Sequence, residues 1–234
     1  EPFQAFVDQS FKALAEAQVE HLVLDLRGNG GGEESNAIYL YSYLATQAFK
    51  YYDRYEVKAI PNQKIAPAAT LVSYETLNCL AAIIEVDHKN RCILSQLEAF
   101  GNRFVDPKEW QLPKTEHHFS GQLVVLIDGE SFSATSELCS IMKRDRRATF
   151  IGAETGGGFD GNTSGIYDQV ILPNSRLKVR IPLVKYVSAV EDTPFRFGRG
   201  VLPDYPVSEY DANSKPAPAD RVIDFAIKYL QSQE

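Results

Sequence analysis

The sequence predicts an α/β fold with a largely parallel sheet, because short buried strands alternate with amphipathic helices along most of the 234 residues. Three apolar segments, 22–26, 121–128 and 148–152, have the length and composition of buried strands. Each of them ends in a turn rich in glycine or serine. With 44% hydrophobic residues, a chain of this length can bury one sizeable core.

The first elements follow from the spacing of apolar residues. Residues 3–18 carry Phe6, Val7 and Phe11 at helical spacing and predict an amphipathic helix, and the strand at 22–26 comes directly after it. A second helix is predicted at 34–49, where Ile38 belongs to the apolar set.

The second half of the chain repeats this alternation of strands and helices. A helix is predicted between the second and third strands, a hairpin follows the third strand, and an extended segment leads to a closing amphipathic helix. The predicted ranges are 131–143 for the first helix, 169–172 and 177–184 for the hairpin, 200–206 for the extended segment and 219–230 for the closing helix.

Residues 51–118 break this regular order. Glycine is nearly absent there, and tyrosine and phenylalanine are frequent. The spacing predicts a strand at 55–60 and helices at 70–86 and 91–100. We therefore predict an inserted, mainly helical subdomain or lid at 51–118, and a core made of 1–50 and 119–234.

Composition and charge exclude several classes of function. The formal net charge is -7 and no basic run occurs, so we expect no nucleic-acid partner. No apolar stretch approaches the ~20 residues of a membrane span.

The three cysteines, Cys79, Cys92 and Cys139, lack metal-binding spacing, and we predict neither a metal nor a cofactor. Cys79 and Cys92 either form a disulfide or remain separate thiols. The sequence begins at Glu1, without an initiator Met or a signal peptide, so we expect it to be a piece of a longer protein.

The segment 22–32, which reads LVLDLRGNGGG, is a strand end followed by a turn almost without side chains. Such a backbone adopts positive φ angles and lets another group come close. A helical pattern follows, so free N–H groups here suit an anion, either a phosphate or a transient oxyanion. The glycines do not keep the spacing of a dinucleotide-binding turn, and no phosphate-loop motif occurs. We expect Asp25 and Arg27 to hold this turn in shape.

The turn after the strand at 121–128 carries four hydroxyl groups into the start of a helix. Ser131 fits the N-cap position best, which requires no catalytic role. A serine in the first helical turn is also stabilised as an alkoxide by the helix dipole. If the two strands are neighbours in a parallel sheet, both turns lie at its carboxyl edge, which is the geometry of acyl transfer with an oxyanion hole. The four residues are Ser131, Ser133, Thr135 and Ser136.

Four motifs occur in a characteristic order. They are LVLDLRGNGGG at 22–32, LVVLIDGESFSATSEL at 123–138, RATFIGAETGG at 147–157 and GVLPDYPV at 200–207. Together they resemble the S41 peptidases, which include the carboxyl-terminal processing proteases and the tricorn core proteases. The resemblance implies a ClpP/crotonase-like fold of ββα units, a serine nucleophile in the second motif, an oxyanion hole partly from the first motif, and substrates bound as extended peptides. It also implies export to the bacterial periplasm or the outer membrane, with peptides or unfolded proteins as partners and the oligomeric state left open.

The nucleophile that the resemblance implies falls on Ser133, because Ser133 and Ala134 match the family's serine followed by a small residue. Counting back from Glu137 places it on Ala134 instead, in which case the chain is inactive. With Ser133 as the nucleophile, we expect the N–H groups of Gly31, Gly32 and Ala134 to receive the oxyanion. The expected substrate-binding residues are Gly30, Gly157, Gly158 and Asn162.

The general base is not identifiable from the sequence. Processing proteases of the family use a lysine in the turn after the third strand, but residues 155–161 contain none. Tricorn-like members use a histidine that would lie before Glu1. They also use an acidic residue just before the fourth motif, but residues 195–199 contain no acidic residue. Asp160 is our candidate for a base or an orienting group. We interpret Lys185, His117 and His118 as residues without a catalytic role.

These observations predict a serine endopeptidase of the S41 type. The first alternative is a catalytically inactive peptide-binding domain, which the missing base favours. The second is a crotonase-like acyl-CoA enzyme, which would share the fold and the oxyanion hole. That alternative is disfavoured because no basic patch is available for the CoA phosphates.

Overall fold

A parallel sheet lies at the centre of the described structure, a computed structural model that covers residues 2–57, 84–86, 92–94, 109–164, 167–182, 184–190, 198–210 and 219–233. Its strands, in spatial order, are β1 (His21–Asp25), β5 (Gln122–Ile127), β6 (Thr149–Gly152) and β11 (Tyr205–Pro206). The helices of the described residues are α1 (Pro2–Glu16), α2 (Glu34–Ser42), α3 (Ala134–Arg144) and α4 (Arg221–Gln231). The predicted α/β class with parallel strands is confirmed.

Strand β5 is buried on both faces, as its continuous apolar sequence requires. Leu123 and Val125 belong to the larger hydrophobic cluster, which includes residues of α1, α2 and α3. Val124 and Leu126 point to the other face and pack in a smaller cluster with residues of α4. Because helices cover both faces, the carboxyl end of β5 is held in place on both sides, and the serine-rich turn starts from that fixed point.

A second sheet, which is antiparallel, joins the region 51–118 to the core. Its strands, in spatial order, are β3 (Ile84–Val86), β4 (Cys92–Leu94), β2 (Tyr52–Val57), β10 (Val184–Ser188) and β7 (Gly161–Asn162). Strands β2 and β10 are direct neighbours, with Tyr55 opposite Tyr186. Strand β2 overlaps the strand predicted at 55–60. The division into a core and an inserted subdomain stays a prediction.

The helices predicted at 70–86 and 91–100 are wrong at the residues that the structure describes. Residues 84–86 and 92–94 form strands β3 and β4, which pair with each other. The other residues of both predicted helices lie outside the described residues. Short apolar runs of this kind have no periodicity that distinguishes a helix from a strand, so the spacing alone was misleading.

The predicted hairpin exists, but it ends earlier than the sequence indicates. It consists of β8 (Tyr167–Ile171) and β9 (Lys178–Pro182), and the apolar sequence that continues at Val184 belongs to β10 in the other sheet. Pro182 lacks the N–H that a strand ladder needs, which is why β9 ends there.

Helix α2 also ends earlier than predicted, at Ser42 rather than at 49. The N–H groups of Leu44 and Ala45 both donate to the carbonyl of Tyr41, which closes the helix in a turn. Phe49 then forms an isolated bridge with Gln111, so residues after the helix belong to an extended connection.

The cysteines and the helix lengths add two observations. Cys139 is a buried free thiol on α3. Cys79 lies outside the described residues, so its pairing with Cys92 stays untested. Along the described part of the chain, every helix is too short or too polar to cross a membrane.

Gly121, directly before β5, provides a steric test of its contact with Glu20, the residue directly before β1. A Cβ atom at Gly121 would overlap the carbonyl oxygen of Glu20, which is backbone and cannot move away cheaply, whereas a Cβ at Gly129 would meet nothing within 4 Å. We expect Gly121→Ala to lower the free energy of unfolding by about 2 kcal/mol or more. Gly129→Ala is the matched control and should stay within about 0.5 kcal/mol of wild type. Urea denaturation measures both, and equal stabilities of the two variants would contradict the packing.

Candidate active site

The two glycine- and serine-rich turns lie side by side at the carboxyl edge of the parallel sheet. Strands β1 and β5 are parallel neighbours in a register that places Asp25 opposite Leu126. The Leu26 N–H continues the ladder by donating to the carbonyl of Leu126 at 3.0 Å. The expected meeting of the two turns is therefore confirmed, because each turn starts where its strand ends.

Asn29, in the middle of the glycine turn, forms one hydrogen bond within this turn and two to the serine turn and the start of α3. Its Oδ1 accepts from the Gly31 N–H at 3.0 Å and from the Thr135 hydroxyl at 2.9 Å. Its carbonyl oxygen accepts from the Phe132 N–H at 3.0 Å. One side chain thus shapes the glycine turn and fixes it against the first turn of α3.

Ser133 occupies the N-cap of α3 in a strained backbone conformation. Its φ is 52° and its ψ is -130°, a combination that residues with a Cβ rarely adopt. Such strain costs on the order of 1–3 kcal/mol and is concentrated at functional sites. The Tyr51 hydroxyl supports the start of the helix by donating to the Ala134 carbonyl at 2.9 Å. The half-buried Ser133 side chain therefore lies at the positive end of an 11-residue helix.

Ser131 does not cap the helix, contrary to our prediction. The helix begins at Ala134, and the buried Ser131 hydroxyl donates to the carbonyl of Leu26 at 2.8 Å. It also accepts from the Asp128 N–H at 3.1 Å. Ser131 joins the ends of β1 and β5 one turn before the helix, so it has a structural role between the two strands.

Glycines on both sides allow the serine turn to be tightly enclosed. A Cβ at Gly31, where φ is +100°, would lie 2.7 Å from the Ser133 Cβ and 2.9 Å from the Ala134 nitrogen. On the other side, a Cβ at Gly157 would overlap the Ser136 hydroxyl. Both positions require the absence of a side chain, because Ser133 is held between two bare backbone segments.

The N–H groups near Ser133 differ in their availability. The Gly31 N–H is already engaged by Asn29 within the turn, so its expected role as an oxyanion donor conflicts with the observed hydrogen bond. For Gly32 and Ala134, no acceptor is found among the residues that the structure describes. These two N–H groups, one directly after Ser133 in the chain and one directly after Gly31, are the donors that stay available.

A chain of hydrogen bonds leads from Ser133 into the protein interior. The Ser133 and Ser164 hydroxyl oxygens are 3.4 Å apart, and both the hydroxyl and the N–H of Ser164 donate to Asn162 Oδ1 at 2.8 Å. The Asn162 amide nitrogen donates to Glu137 Oε1. The Tyr52 hydroxyl donates to Glu137 Oε2 at 2.6 Å. The chain thus ends on a carboxylate that is only 1% exposed.

Burial changes the titration of Glu137. Desolvation raises the pKa of its carboxyl from the ordinary value of 4.5 to about 7, and the nearby charge of Glu34 acts in the same direction. The hydrogen bonds from Tyr52 and Asn162 oppose this shift because they stabilise the carboxylate. Burial also raises the pKa of Tyr52, so its hydroxyl remains a donor at neutral pH.

Asp160, the candidate base, contacts a different partner. Its Oδ2 accepts from Lys185 Nζ at 3.1 Å, which places the carboxylate in an ion pair with the neighbouring strand β10. Lys185 lies near the start of β10 and forms this ion pair, and its interpretation as a residue without a catalytic role stays a prediction. His118 Nε2 lies 2.8 Å from the Ala45 carbonyl, before β5 and away from the carboxyl edge. In the described part of the chain, the Ser133 hydroxyl lies within hydrogen-bond distance of the Ser164 hydroxyl. It forms no hydrogen bond there with a histidine, a lysine or a carboxylate.

The expected substrate-binding residues have unequal surroundings. Gly30 is exposed, and a Cβ there would meet nothing within 4 Å. Gly157 is buried against Ser136, and a Cβ at Gly158 would meet the Gly161 carbonyl at 2.9 Å. Asn162 uses its side chain in the hydrogen-bond chain from Ser133. Their contact with substrate stays a prediction.

Arg27 forms an ion pair with Asp25 directly before the glycine turn, and the predicted role of this pair in holding the turn in shape stays a prediction. The guanidinium donates to Asp25 Oδ2 at 2.6 Å, to Asp220 Oδ2 at 2.7 Å and to Glu209 Oε1 at 2.8 Å. Asp220 is also the N-cap of α4, where it accepts from two helix N–H groups. Arg27 therefore links the first motif to the closing helix, a role that the sequence did not indicate.

Among the described residues, no group of three or more potential metal ligands is found.

Comparisons with known proteins identify a matching family and several similar folds. The sequence profile of peptidase family S41 matches residues 2–207. No curated protein matches the sequence significantly. Among solved structures, a putative peptidase from Parabacteroides merdae is 18% identical, with a TM-score of 0.58 over 97% of this chain and 57% of that one. Mature CPAF is 17% identical, with a TM-score of 0.56 over 99% of this chain and 45% of that one. The chain spans about half the length of these proteins, and at such identities the likeness concerns the fold alone.

The buried carboxyl of Glu137 predicts a pH dependence of stability. Its pKa is raised in the folded state, so the folded protein binds more protons than the unfolded one between pH 4.5 and about 7. Wild type should therefore lose roughly 3 kcal/mol relative to Glu137→Gln as the pH rises through this window. Denaturant unfolding of both proteins at pH 4, 5.5, 7 and 8 measures the difference. A difference that stays constant with pH would contradict the raised pKa.

Proposed function

Since the chain belongs to peptidase family S41, we propose that it is a serine endopeptidase in which Ser133 attacks the carbonyl carbon of the scissile peptide bond. The observation that supports this most strongly is the strained Ser133 at the N-terminus of α3, enclosed by the bare glycine turn. A strained strand-to-helix turn is also how other hydrolases present a nucleophilic serine. Structural capping does not require such strain.

The reaction that we propose has two acyl-transfer steps. The Ser133 oxygen forms a bond to the carbonyl carbon, and the resulting oxyanion is received by the N–H groups of Gly32 and Ala134. The bond to the amine then breaks, and the amine leaves with the proton that the Ser133 hydroxyl gave up. Water next attacks the acyl-enzyme, which releases the carboxylic acid and returns a proton to the Ser133 oxygen. Each oxyanion donor of this kind contributes about 3 kcal/mol to transition-state stabilisation. In this scheme Gly31 allows the close approach of the two turns, and its own N–H serves Asn29.

Ser133 is a better nucleophile assignment than the alternative position, Ala134. Ala134 is buried, and its carbonyl is fixed by Tyr51, so a side chain at this position has no access to a substrate. Ser133 is half-buried and lies at the end of the helix. On this assignment the chain carries the nucleophile that the family uses.

The substrate class, the fold type and the localisation that we propose follow from the family. The substrates are peptides or unfolded proteins that bind in an extended form, and Gly30, Gly157, Gly158 and Asn162 border their site. The fold is of the ClpP/crotonase-like ββα type, and the protein is exported. For Asp160 we propose a role as an orienting group, since its carboxylate is held in an ion pair with Lys185.

An inactive peptide-binding domain is the second candidate, and one observation favours it. No basic group that could take the proton from Ser133 touches its hydroxyl in the described residues, and the contact found there is another serine. The two candidates differ in the reactivity of Ser133, which can be measured directly.

Reaction with a fluorophosphonate probe tests the nucleophile. We expect wild type to be labelled at one residue, which mass spectrometry of the digested protein identifies as Ser133, and Ser133→Ala to lose the label completely. Ser140→Ala is the matched control, since Ser140 is a buried serine on the same helix whose hydroxyl donates to the Ser136 carbonyl. It should be labelled like wild type. A folded wild-type protein that takes up no label would overturn the peptidase proposal and favour the inactive domain.

Gly31 tests the close approach of the glycine turn to the serine. A Cβ at this position meets the backbone of Phe132 and Ala134 and the Ser133 Cβ within 3 Å, and φ is +100°. Gly31→Ala should therefore displace Ser133 and slow its labelling by a factor of at least about 10², the effect expected for a misplacement near 1 Å. Gly129→Ala, at an open position of the serine turn, should be labelled at the wild-type rate. Equal rates for the two variants would contradict the role of the glycine turn.

A further inference from the structure

The hydrogen-bond chain from Ser133 to Glu137 has a fixed direction. Glu137 accepts at both oxygens, from Tyr52 at one and from the Asn162 amide nitrogen at the other. An ionised carboxylate can only accept, so it determines which end of the Asn162 amide faces inward. The Asn162 oxygen must then face outward, where it accepts from the hydroxyl and the N–H of Ser164.

The same logic determines how the two serine hydroxyls interact. Ser164 uses its only hydroxyl proton in the bond to Asn162 at 2.8 Å. Toward Ser133, 3.4 Å away, the Ser164 oxygen can therefore only accept. The proton of the Ser133 hydroxyl points to Ser164 as a result, and its lone pairs point elsewhere.

We infer that Glu137 is a positioning residue for Ser133, which acts through Asn162 and Ser164 and fixes the direction of the Ser133 hydroxyl. This inference rests on the proposed function, since it concerns the reactivity of the same serine. An amide oxygen does not take up a proton near neutral pH, so Asn162 orients the serine and does not deprotonate it. The residue that accepts the Ser133 proton is a separate question.

The position of Glu137 explains how it can act without touching a substrate. It lies on α3, one helical turn after Ser133, and is 1% exposed. The groups that face it are Glu34 of α2, Tyr51 and Tyr52 at β2, and Asn162 of β7. Both β2 and β7 belong to the antiparallel sheet. This sheet therefore helps to orient Ser133, although Ser133 itself lies in the turn that follows strand β5 of the parallel sheet.

The charge state of Glu137 gives the chain a pH dependence. Burial raises the pKa of this carboxyl to about 7. Protonation converts one of the two acceptor oxygens into a donor, so one of the bonds from Tyr52 and Asn162 is lost. We therefore expect the orienting effect above pH 7 and its loss below that pH.

The experiment compares rates of fluorophosphonate labelling from pH 5.5 to 9 in four proteins: wild type, Glu137→Gln, Ser164→Ala and the double variant. Glutamine has one acceptor and one donor end, so it leaves a donor of Tyr52 or Asn162 without an acceptor. We expect Glu137→Gln to react about ten-fold more slowly than wild type at pH 8 and to lack the inflection near pH 7. Ser140→Ala, on the same helix, should retain both the rate and the inflection.

The double variant distinguishes positioning from a general structural effect. If Glu137 acts through Ser164, the double variant should react like Ser164→Ala alone, because the chain is already interrupted. Additive losses, or an inflection that persists in Glu137→Gln, would overturn the inference. Should Glu137→Gln not fold, Asn162→Ala interrupts the same chain at a half-buried position, and the same two outcomes apply to it.

The result for wild type separates this inference from the proposed function. If wild type is labelled at Ser133 and Glu137→Gln reacts at the same rate with the same pH profile, the inference alone is wrong. If wild type is not labelled at any pH, the proposed function fails and the inference fails with it.

Discussion

The arrangement of the site depends on the parallel pairing of β1 with β5, which the side chain of Asn29 secures at its carboxyl end. The strands bring two turns to the same edge, and Asn29 then bonds to both of them through one carboxamide oxygen and one carbonyl. Without this connection, the glycine turn would be an exposed segment with few contacts of its own. With it, and with the Gly28 N–H bonded to Asp128, the turn is fixed at both ends and Gly31 lies against Ser133.

Two costs are concentrated next to this connection. Ser133 has a backbone conformation that is unfavourable for a residue with a Cβ, and Glu137 is a carboxyl that burial disfavours in its charged form. The packing around α3 compensates for both costs. Helix α3 lies between the two sheets, and the Tyr51 and Tyr52 hydroxyls donate to Ala134 and Glu137 of this helix. A backbone conformation and a buried carboxyl that both cost free energy of folding are typical of a functional site.

The sequence predicted those parts of the structure that depend on local signals. The apolar run of β5 and the glycines after β1 directly indicate a buried strand and a bare turn, and both are present. The helices predicted at 70–86 and 91–100 failed at β3 and β4, since pairing with a distant strand decides the structure of short apolar runs. The roles of Asn29 and Glu137 were also missed. An asparagine in a glycine turn and a glutamate in a helix are ordinary residues until the partners from distant segments, Thr135 and Asn162, are known. The sequence did indicate a serine hydroxyl close to a glycine turn. It did not indicate that Ser133 rather than Ser131 is the N-cap, because this depends on the backbone angles of the turn.

The central claim is that Ser133 and the N–H groups of Gly32 and Ala134 form one catalytic unit. A crystal structure of the protein with a peptidyl boronate, which mimics the tetrahedral intermediate, tests this claim most directly. The account predicts a bond from boron to the Ser133 oxygen and one boronate oxygen within hydrogen-bond distance of the N–H groups of Gly32 and Ala134. A boronate bound at another residue, or one whose oxygens all point away from these two N–H groups, would contradict it.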